Sequence, residues 1–307
     1  MKKFLYLIQG RKNNVLKYTN LKNDNSDVIT LTFDEEIFPK EYDSLANIFF
    51  PKSTWAEGRN KQLEYAKLLP YEYLYYIFID DDVEFIQGSF REFEQKLIQY
   101  RPQIGFPLLT IVKHYHRYNP KLLIQRPTLL DTQITAFHID TIKEGILMPL
   151  VTLFDDKSWF YSCEIINFLI LSDFKRRVIQ FNDIIADNVG HCWDEKTMKA
   201  KDPHSNYVGG TSEEIKDEVR KYIVKRFGDQ PRFANTLFHD KSYRNYIDIP
   251  RGKDFLFSLV NNSIRFRIKH AAFLLISYLK NKFLYNYPKE LELPEILSDL
   301  NELNSLG

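Results

Sequence analysis

The sequence predicts an α/β fold in which helices flank an open, mixed and mostly parallel β-sheet. Short apolar runs, typical of strands buried on both faces, alternate along the first 112 residues with segments of helical spacing. The chain of 307 residues is 44% hydrophobic and 15% aromatic, which is enough apolar material for a large core. Because open sheets of this kind bind ligands beyond the carboxyl ends of their strands, polar residues that follow the strands are the first candidates for a functional site.

Each strand candidate in the first half is an apolar or β-branched run that ends at a polar or turn residue. These runs are residues 3–10, 27–36, 44–52, 75–80 and 104–112. Two intervening segments have helical spacing. One is residues 55–69, where Thr54 and Glu57 have the separation of a capping box, and the other is residues 88–102.

The second half continues the alternation and then becomes helical and polar. The predicted elements are a strand and helix over 129–144, a helix over 158–177, a strand and loop over 177–193, a polar loop or lid over 194–210, and an amphipathic helix over 212–228. We therefore predict a catalytic domain over 1–210, divided into halves 1–112 and 113–210, and a helical carboxyl-terminal extension over 211–307.

Composition excludes several functional classes. The formal net charge is +1, which gives no general attraction to nucleic acid. Cys163 and Cys192 do not form a CxxC pair, which favours a reducing compartment. The apolar run from Phe4 to Ile8 is too short for a signal peptide, and no run approaches the roughly 20 apolar residues that span a bilayer. We expect a cytoplasmic protein, or one bound peripherally to the inner face of the cell membrane.

The most informative stretch is YYIFIDDDVEF, residues 75–85, in which three carboxylates directly follow a buried strand. On an extended backbone Asp80 and Asp82 leave the same face, where they can hold Mn²⁺ or Mg²⁺, hard cations that prefer oxygen ligands. Asp81 would then point toward a ribose hydroxyl or a basic neighbour. The alternative is a solvated acidic turn.

A second polar group lies about twenty residues upstream, at the start of the predicted helix. Arg59 can bind a phosphate or the acidic cluster, because its guanidinium matches both geometries. Asn60 can donate and accept hydrogen bonds at a base or ribose. The alternative is that both residues belong to a solvent-facing helix start.

Together, residues 58–67 (GRNKQLEYAK) and 75–85 resemble the nucleotide-sugar half of GT-A-fold glycosyltransferases, and the resemblance extends over residues 1–112. It implies that Asp80 and Asp82 occupy the positions of a DxD motif, which binds Mn²⁺ or Mg²⁺ and the diphosphate of a sugar nucleotide. The donor-contacting residues implied in this way are Gln9, Gly10, Arg11, Arg59, Asn60, Asp80 and Asp81.

The same resemblance implies an acidic residue near the acceptor and a late metal-binding histidine. Asp155, Asp156 and Glu164 are the candidates for a general base, and His191 is the candidate third metal ligand. The alternatives are helix-terminal or solvent-facing acids and a structural histidine. Trp159 can stack on a sugar ring or simply pack in the core.

We therefore expect a metal-dependent glycosyltransferase that uses a nucleotide sugar, by default a UDP-sugar, and a glycan or lipid-linked acceptor in bacterial capsule or lipopolysaccharide synthesis. Residues 255–287 mix basic and apolar side chains, a pattern typical of membrane-interface contact or of a helix that packs on the catalytic domain or on a second subunit. Lys199, Lys201 and His204 in the predicted lid are candidates for closing over the donor. The alternatives are a sugar nucleotidyltransferase and a non-catalytic carbohydrate- or nucleotide-binding protein.

Overall fold

A computed structural model of the chain describes residues 2–110, 118, 122–125, 127, 130–173, 178–189, 193–194, 199–200, 218–219, 221–223, 225–226 and 249–250. Within these residues the predicted fold class is confirmed, because a mixed and mostly parallel sheet is flanked by helices on both faces.

All five strands predicted between residues 3 and 112 are present, although some are shorter than predicted. The strands of the described residues are β1 (Phe4–Gly10), β2 (Ser26–Thr32), β3 (Ala46–Phe49), β4 (Tyr75–Asp80), β5 (Val83–Gln87), β6 (Ile104–Leu109), β7 (Leu122–Gln125), β8 (Ile134–His138), β9 (Val178–Asn188), β10 (Trp193–Asp194), β11 (Lys199–Ala200) and β12 (Ile249–Pro250). Strand β5, which directly follows the acidic residues, was not predicted.

The helices at 55–69, 88–102 and 158–177 are also confirmed, with ends shifted by a few residues. The helices of the described residues include α1 (Lys12–Val15), α2 (Trp55–Lys67), α3 (Phe90–Tyr100), α4 (Ile139–Glu144) and α5 (Trp159–Asp173), and a 3₁₀ segment (Leu16–Leu21) follows α1. Helix α2 begins with the predicted capping box: the Glu57 backbone N–H donates to Thr54 Oγ1, and the Thr54 N–H donates to the Glu57 carboxylate.

The strands of the main sheet lie in the order β12-β7-β9-β6-β8-β4-β1-β2-β3. Strands β4, β1, β2 and β3 are mutually parallel, and β6 is parallel to β9. Strand β8 runs antiparallel between β4 and β6. The chain leaves β1 toward β2 and β3 and then returns to the other side of β1 as β4. This reversal of strand order makes the carboxyl ends of β1 and β4 a topological switch point, where α/β sheets bind ligands.

The central strands bury both faces, because alternate residues belong to different core clusters. On β4, Tyr76 and Phe78 pack with residues of α2 and α5, whereas Tyr75, Ile77 and Ile79 pack with α3 and the 3₁₀ segment. The continuous apolar run of β4 is therefore the expected sequence of a fully covered strand. It delivers the acidic residues to a fixed edge of the sheet.

The predicted halves 1–112 and 113–210 are parts of one sheet, since β8 of the second half lies between β4 and β6 of the first. The predicted boundaries themselves, and most of the 211–307 extension, lie outside the described residues. In the predicted helix over 212–228, the described residues between 218 and 226 are helical, and Val219 and Ile223 are buried in the core.

Candidate functional site

The acidic residues lie at the switch point of the sheet. Gln9 of β1 is paired in register with Asp80 of β4, so that Gly10 lies beside the residues that follow Asp80. Strand β4 ends at Asp80, and Asp81 and Asp82 form a tight turn into β5. Tyr18 fixes this turn by donating its hydroxyl to the carbonyl oxygen of Val83 at 2.8 Å. The extended backbone assumed for Asp80–Asp82 is therefore wrong, because the chain turns at once. We call Asp80, Asp81 and Asp82 the acidic turn.

Asp81 points toward the loop after β1. Its Oδ2 accepts hydrogen bonds from the Arg11 backbone N–H (2.7 Å) and from Asn14 Nδ2 (2.9 Å). Gly10 leaves space for this carboxylate, because a Cβ at position 10 would lie 2.0 Å from both Cβ and Cγ of Asp81. Burial raises the pKa of Asp81, and the two hydrogen bonds oppose that rise. Asp81 thus ties the acidic turn to β1, and its partners are a backbone amide and an asparagine rather than a basic side chain.

Asp80 points toward the start of helix α2. Its Oδ1 accepts hydrogen bonds from the Arg59 guanidinium (Nη2, 2.7 Å) and from Trp55 Nε1 (3.0 Å). Arg59 is only 1% exposed, whereas the Asp80 side chain is 23% exposed. Of the two roles expected for Arg59, the structure shows contact with the acidic cluster, and its burial leaves the guanidinium inaccessible to a phosphate.

Asp82 differs from its two neighbours because its carboxylate has no basic side chain beside it among the described residues. Burial, followed by the charges of Asp80 and Asp81, raises the pKa of Asp82 to about 8. The neighbouring negative charges oppose ionisation of this carboxyl group. A nearby cation would have the opposite effect and stabilise its ionised form. Asp82 is therefore the member of the acidic turn that is freest to bind such a cation.

The chemistry of the acidic turn fits a divalent cation that also binds a substrate phosphate. Arg59 offsets one of the three carboxylate charges, so one divalent cation would balance the remaining two. Within the described ranges, no group of three or more His, Cys, Asp or Glu side chains is arranged to hold an ion by itself. Mg²⁺ in nucleotide enzymes is usually held by one or two carboxylates and the phosphates, so a site with few protein ligands is the expected kind.

Gln9, a residue of β1, directs its side chain to the first turn of α2 and is only 6% exposed. Its Nε2 donates to the Thr54 carbonyl oxygen at 3.2 Å, and a Cβ at Gly58 would lie 2.3 Å from that nitrogen. Gln9 Oε1 is buried without a hydrogen-bond donor among the described residues. The side chain of Arg11 is exposed at the rim of the same edge. Gln9, Gly10 and Arg11 thus lie where the sequence predicted, and their contact with a nucleotide stays a prediction.

Asn60 does not support the predicted contact with a base or ribose. Its Nδ2 donates to the Leu150 carbonyl oxygen at 3.0 Å, and its Oδ1 accepts from the Leu150 backbone N–H at 2.6 Å. Both ends of the amide thus bind the backbone of one buried residue, Leu150, which directs the side chain away from a ligand. Asn60 instead fastens helix α2 to the loop that precedes α5.

The described acids of the second half are in very different surroundings. Glu164, on α5, is half-buried, and burial together with the charge of Asp131 raises its pKa to about 7. Asp131, which lies in the loop before β8, also raises the pKa of Asp82. The charge of Asp131 therefore acts on both Glu164 and Asp82.

Asp155 and Asp156 fit a catalytic role less well. Asp155 is buried, and its two oxygens accept hydrogen bonds from the hydroxyls of Thr54 and Ser162. Burial raises the pKa of Asp155, and these hydroxyls lower it. Asp156 is exposed to solvent. Asp155 therefore connects the start of α2 with α5, and Glu164 is the candidate base whose pKa, raised to about 7, suits that role.

Several predicted residues cannot be placed. His191, Lys201, His204 and the basic stretch 255–287 lie outside the described residues. Lys199 lies in β11, which pairs with β10 in a short hairpin, so the described part of the predicted lid contains regular structure. Among the helices that the structure describes, none has the length and apolarity needed to cross a membrane.

The sequence patterns did not identify Trp55 or Asp131 as residues of the site. Trp55 precedes Arg59 by four residues, and this spacing places the two on one face of α2, so helical periodicity was an available signal. Asp131 had no such signal. It approaches Asp82 because β8 pairs antiparallel with β4, which brings the start of β8 to the carboxyl end of β4.

Comparison with known proteins gives similar structures and no family. No family model matches the chain, and no curated protein does. Residues 1–349 of S. aureus TarS in complex with UDP-GlcNAc are 9% identical over 89% of this chain and 79% of that chain, with a TM-score of 0.43. The glycosyltransferase GlyE of Streptococcus pneumoniae TIGR4 is 9% identical over 90% of this chain and 64% of that chain (TM-score 0.37). A197 from STIV is 15% identical over 68% and 95%, respectively (TM-score 0.37). These values are too low to assign this chain to a family.

Proposed function

We propose that this protein is a metal-dependent glycosyltransferase that moves a sugar from a nucleotide sugar to a glycan or lipid-linked acceptor. One observation carries the proposal: three consecutive carboxylates, beginning at the last residue of β4, lie at the switch point of the sheet beside Gly10 at the end of β1. The sequence resemblance to GT-A-fold enzymes concerns these same residues. A role in bacterial capsule or lipopolysaccharide synthesis, with a UDP-sugar as donor, is part of the proposal and rests on that resemblance.

The acidic turn supplies the donor half of the reaction. Asp82 would hold Mn²⁺ or Mg²⁺ together with Asp80 Oδ2, the Asp80 oxygen that accepts no hydrogen bond from the described residues. The bound ion would stabilise the negative charge that develops on the diphosphate as the sugar leaves. Asp81 cannot turn toward the ion without breaking its bonds to Arg11 and Asn14. Its role in this scheme is to fix the turn against β1, and contact of its second oxygen with a ribose stays a prediction.

Glu164 supplies the acceptor half. A general base is most effective when its pKa lies near the working pH, and the pKa of Glu164 is raised to about 7. In its ionised form Glu164 would take the proton of the acceptor hydroxyl as that oxygen bonds to the sugar. Asp155 is less suited to this step because two hydroxyls already donate to its carboxylate.

A thermal-shift screen of nucleotide sugars with and without Mn²⁺ tests the proposal. UDP-GlcNAc belongs in the panel as a practical first donor. We expect at least one donor to raise the melting temperature only when Mn²⁺ is present, and we expect Asp82→Ala to abolish that rise. The control is Asp24→Ala, which removes an exposed carboxylate from the opposite edge of the sheet and should leave the shift intact.

The screen also separates the alternatives. A shift with nucleoside triphosphates and sugar phosphates in place of nucleotide sugars would favour a sugar nucleotidyltransferase. Binding of a donor without release of nucleotide in the presence of any glycan acceptor would favour a non-catalytic binding protein. A donor that binds equally well to the Asp82→Ala variant would refute the proposed site.

A further inference from the structure

The carboxylate of Asp80 is held at one oxygen only. Trp55 Nε1 and Arg59 Nη2 both donate to Oδ1, at 3.0 and 2.7 Å, whereas Oδ2 has no hydrogen-bond partner among the described residues. The same Arg59 nitrogen donates to the Thr132 carbonyl oxygen at 2.8 Å. Two side chains of one helix therefore fix the orientation of Asp80 and leave its second oxygen available to a ligand.

The two donors are themselves rigidly placed. The guanidinium carbon of Arg59 lies 4.2 Å from the centre of the Trp55 ring and 5.6 Å from that of Phe78. Such stacking stabilises a buried guanidinium and restricts its rotation. Because Arg59 is 1% exposed, a diphosphate in the crevice could reach it only after this stack had opened.

The helix that carries both donors is anchored at its first turn. Thr54 and Glu57 form the capping box, and the Thr54 hydroxyl also binds the buried carboxylate of Asp155. The N-terminus of α2 is thereby fixed relative to α5, on the same side of the sheet. Trp55 and Arg59, four residues apart on this fixed helix start, therefore donate to the same oxygen of Asp80. We call these two residues the clamp on Asp80.

We propose that Trp55 and Arg59 are positioning residues: they hold Asp80 through Oδ1 and present Oδ2 alone to the divalent cation of the donor complex. Neither residue touches the substrate. This inference rests on the proposed function, since it requires a cation at the acidic turn. It assigns Arg59 to the carboxylate and not to the diphosphate.

Two substitutions that conserve net charge test the clamp. Trp55→Phe removes the indole donor and keeps an aromatic ring against Arg59, and Arg59→Lys keeps the positive charge and removes the planar donor geometry. Because both substitutions keep the net charge around the acidic turn, a change in affinity reports mainly the orientation of Asp80. The readout is the Kd of Mn²⁺, measured by titration calorimetry in saturating UDP, together with the melting temperature without ligand.

The matched control is Arg91→Lys. Arg91 also pairs with a carboxylate, Glu94, at 2.8 Å, but it lies at the opposite edge of the sheet beside the amino end of β1. Loss of a residue that orients a metal ligand typically weakens metal affinity about 10- to 100-fold. We expect a Kd increase of at least about tenfold for Trp55→Phe and Arg59→Lys, and none for Arg91→Lys.

The outcomes separate the inference from the proposed function. If the wild-type protein binds Mn²⁺ with UDP and both variants bind it with the wild-type Kd, the positioning role is refuted while the proposed function stands. A fall in melting temperature without any change in Kd would likewise refute it, because a merely structural role gives that result. If the wild-type protein binds no Mn²⁺ at all with any nucleotide tested, both the metal site and the inference fail.

Discussion

Glu164→Gln should make the protein markedly less sensitive to pH. The pKa of Glu164 is raised from 4.5 to about 7 by burial and by the charge of Asp131. The folded state thus retains a proton that the unfolded chain has lost between these two values. The stability that protonated Glu164 contributes is fully present below about pH 4.5 and is lost progressively as the pH rises to about 7.

The magnitude follows from the shift. A difference of about 2.5 units at about 1.36 kcal/mol per unit gives about 3.4 kcal/mol, and partial solvent screening of this half-buried group reduces it to about 2–3 kcal/mol. The free energy of unfolding of the wild type, relative to Glu164→Gln, should therefore fall by that amount between pH 4.5 and pH 8. Glutamine has no proton to lose, so the variant lacks this contribution.

Urea unfolding at half-unit pH intervals measures the difference directly. Asp131→Asn is the companion variant, because removal of the neighbouring charge should lower the pKa of Glu164 and move the decline to lower pH. Glu144→Gln, which removes an exposed carboxylate from α4, controls for the loss of a surface charge. A constant difference between wild type and Glu164→Gln across the whole range would refute the reasoning.

Three further substitutions follow from the packing around the site. Gly10→Ala should destabilise the fold by about 1–3 kcal/mol and weaken donor binding, because the new Cβ would overlap Asp81. The double variant Gly10→Ala/Asp81→Gly should recover much of the stability but not the donor binding, both measured by calorimetry. Thr54→Ala should lower the free energy of unfolding by about 2 kcal/mol, measured in urea, because it removes both the helix cap and a hydrogen bond to the buried Asp155 carboxylate. Thr54→Ser should retain most of that stability. Asn60→Ala should lower the free energy of unfolding by about 2 kcal/mol, because it removes two hydrogen bonds to Leu150, and should leave the Kd of the donor unchanged. A higher donor Kd with unchanged stability would instead support the predicted contact of Asn60 with the nucleotide.

Sequence patterns predicted the features that depend on interactions between residues close together in the chain. The apolar run that ends at Asp80 predicted a covered strand, because a short continuous apolar run is typical of a strand buried on both faces. The separation of Thr54 and Glu57 predicted the capping box and the start of α2, since both partners lie within one helical turn. These two features fix where the acidic turn emerges from the sheet.

Features that depend on distant parts of the chain could not be predicted in this way. The antiparallel insertion of β8 between β4 and β6 has no local signature, and it alone brings Asp131 near Asp82. The use of Asn60 depends on Leu150, ninety residues away along the chain. Strand β5 was missed because alternation over so few residues, Val83–Gln87, is hard to separate from a loop, and its partner β9 is also distant.

The most direct test of the central claim is the position of the metal ion in a crystal of the protein grown with Mn²⁺ and UDP. Anomalous diffraction at the manganese edge locates the ion independently of any model of the ligand. The account predicts a single strong peak within coordination distance, about 2.0–2.3 Å, of an Asp82 oxygen and of Asp80 Oδ2, with Arg59 still bound to Oδ1. A peak elsewhere, or UDP bound at the switch point with no ion beside the acidic turn, would contradict it.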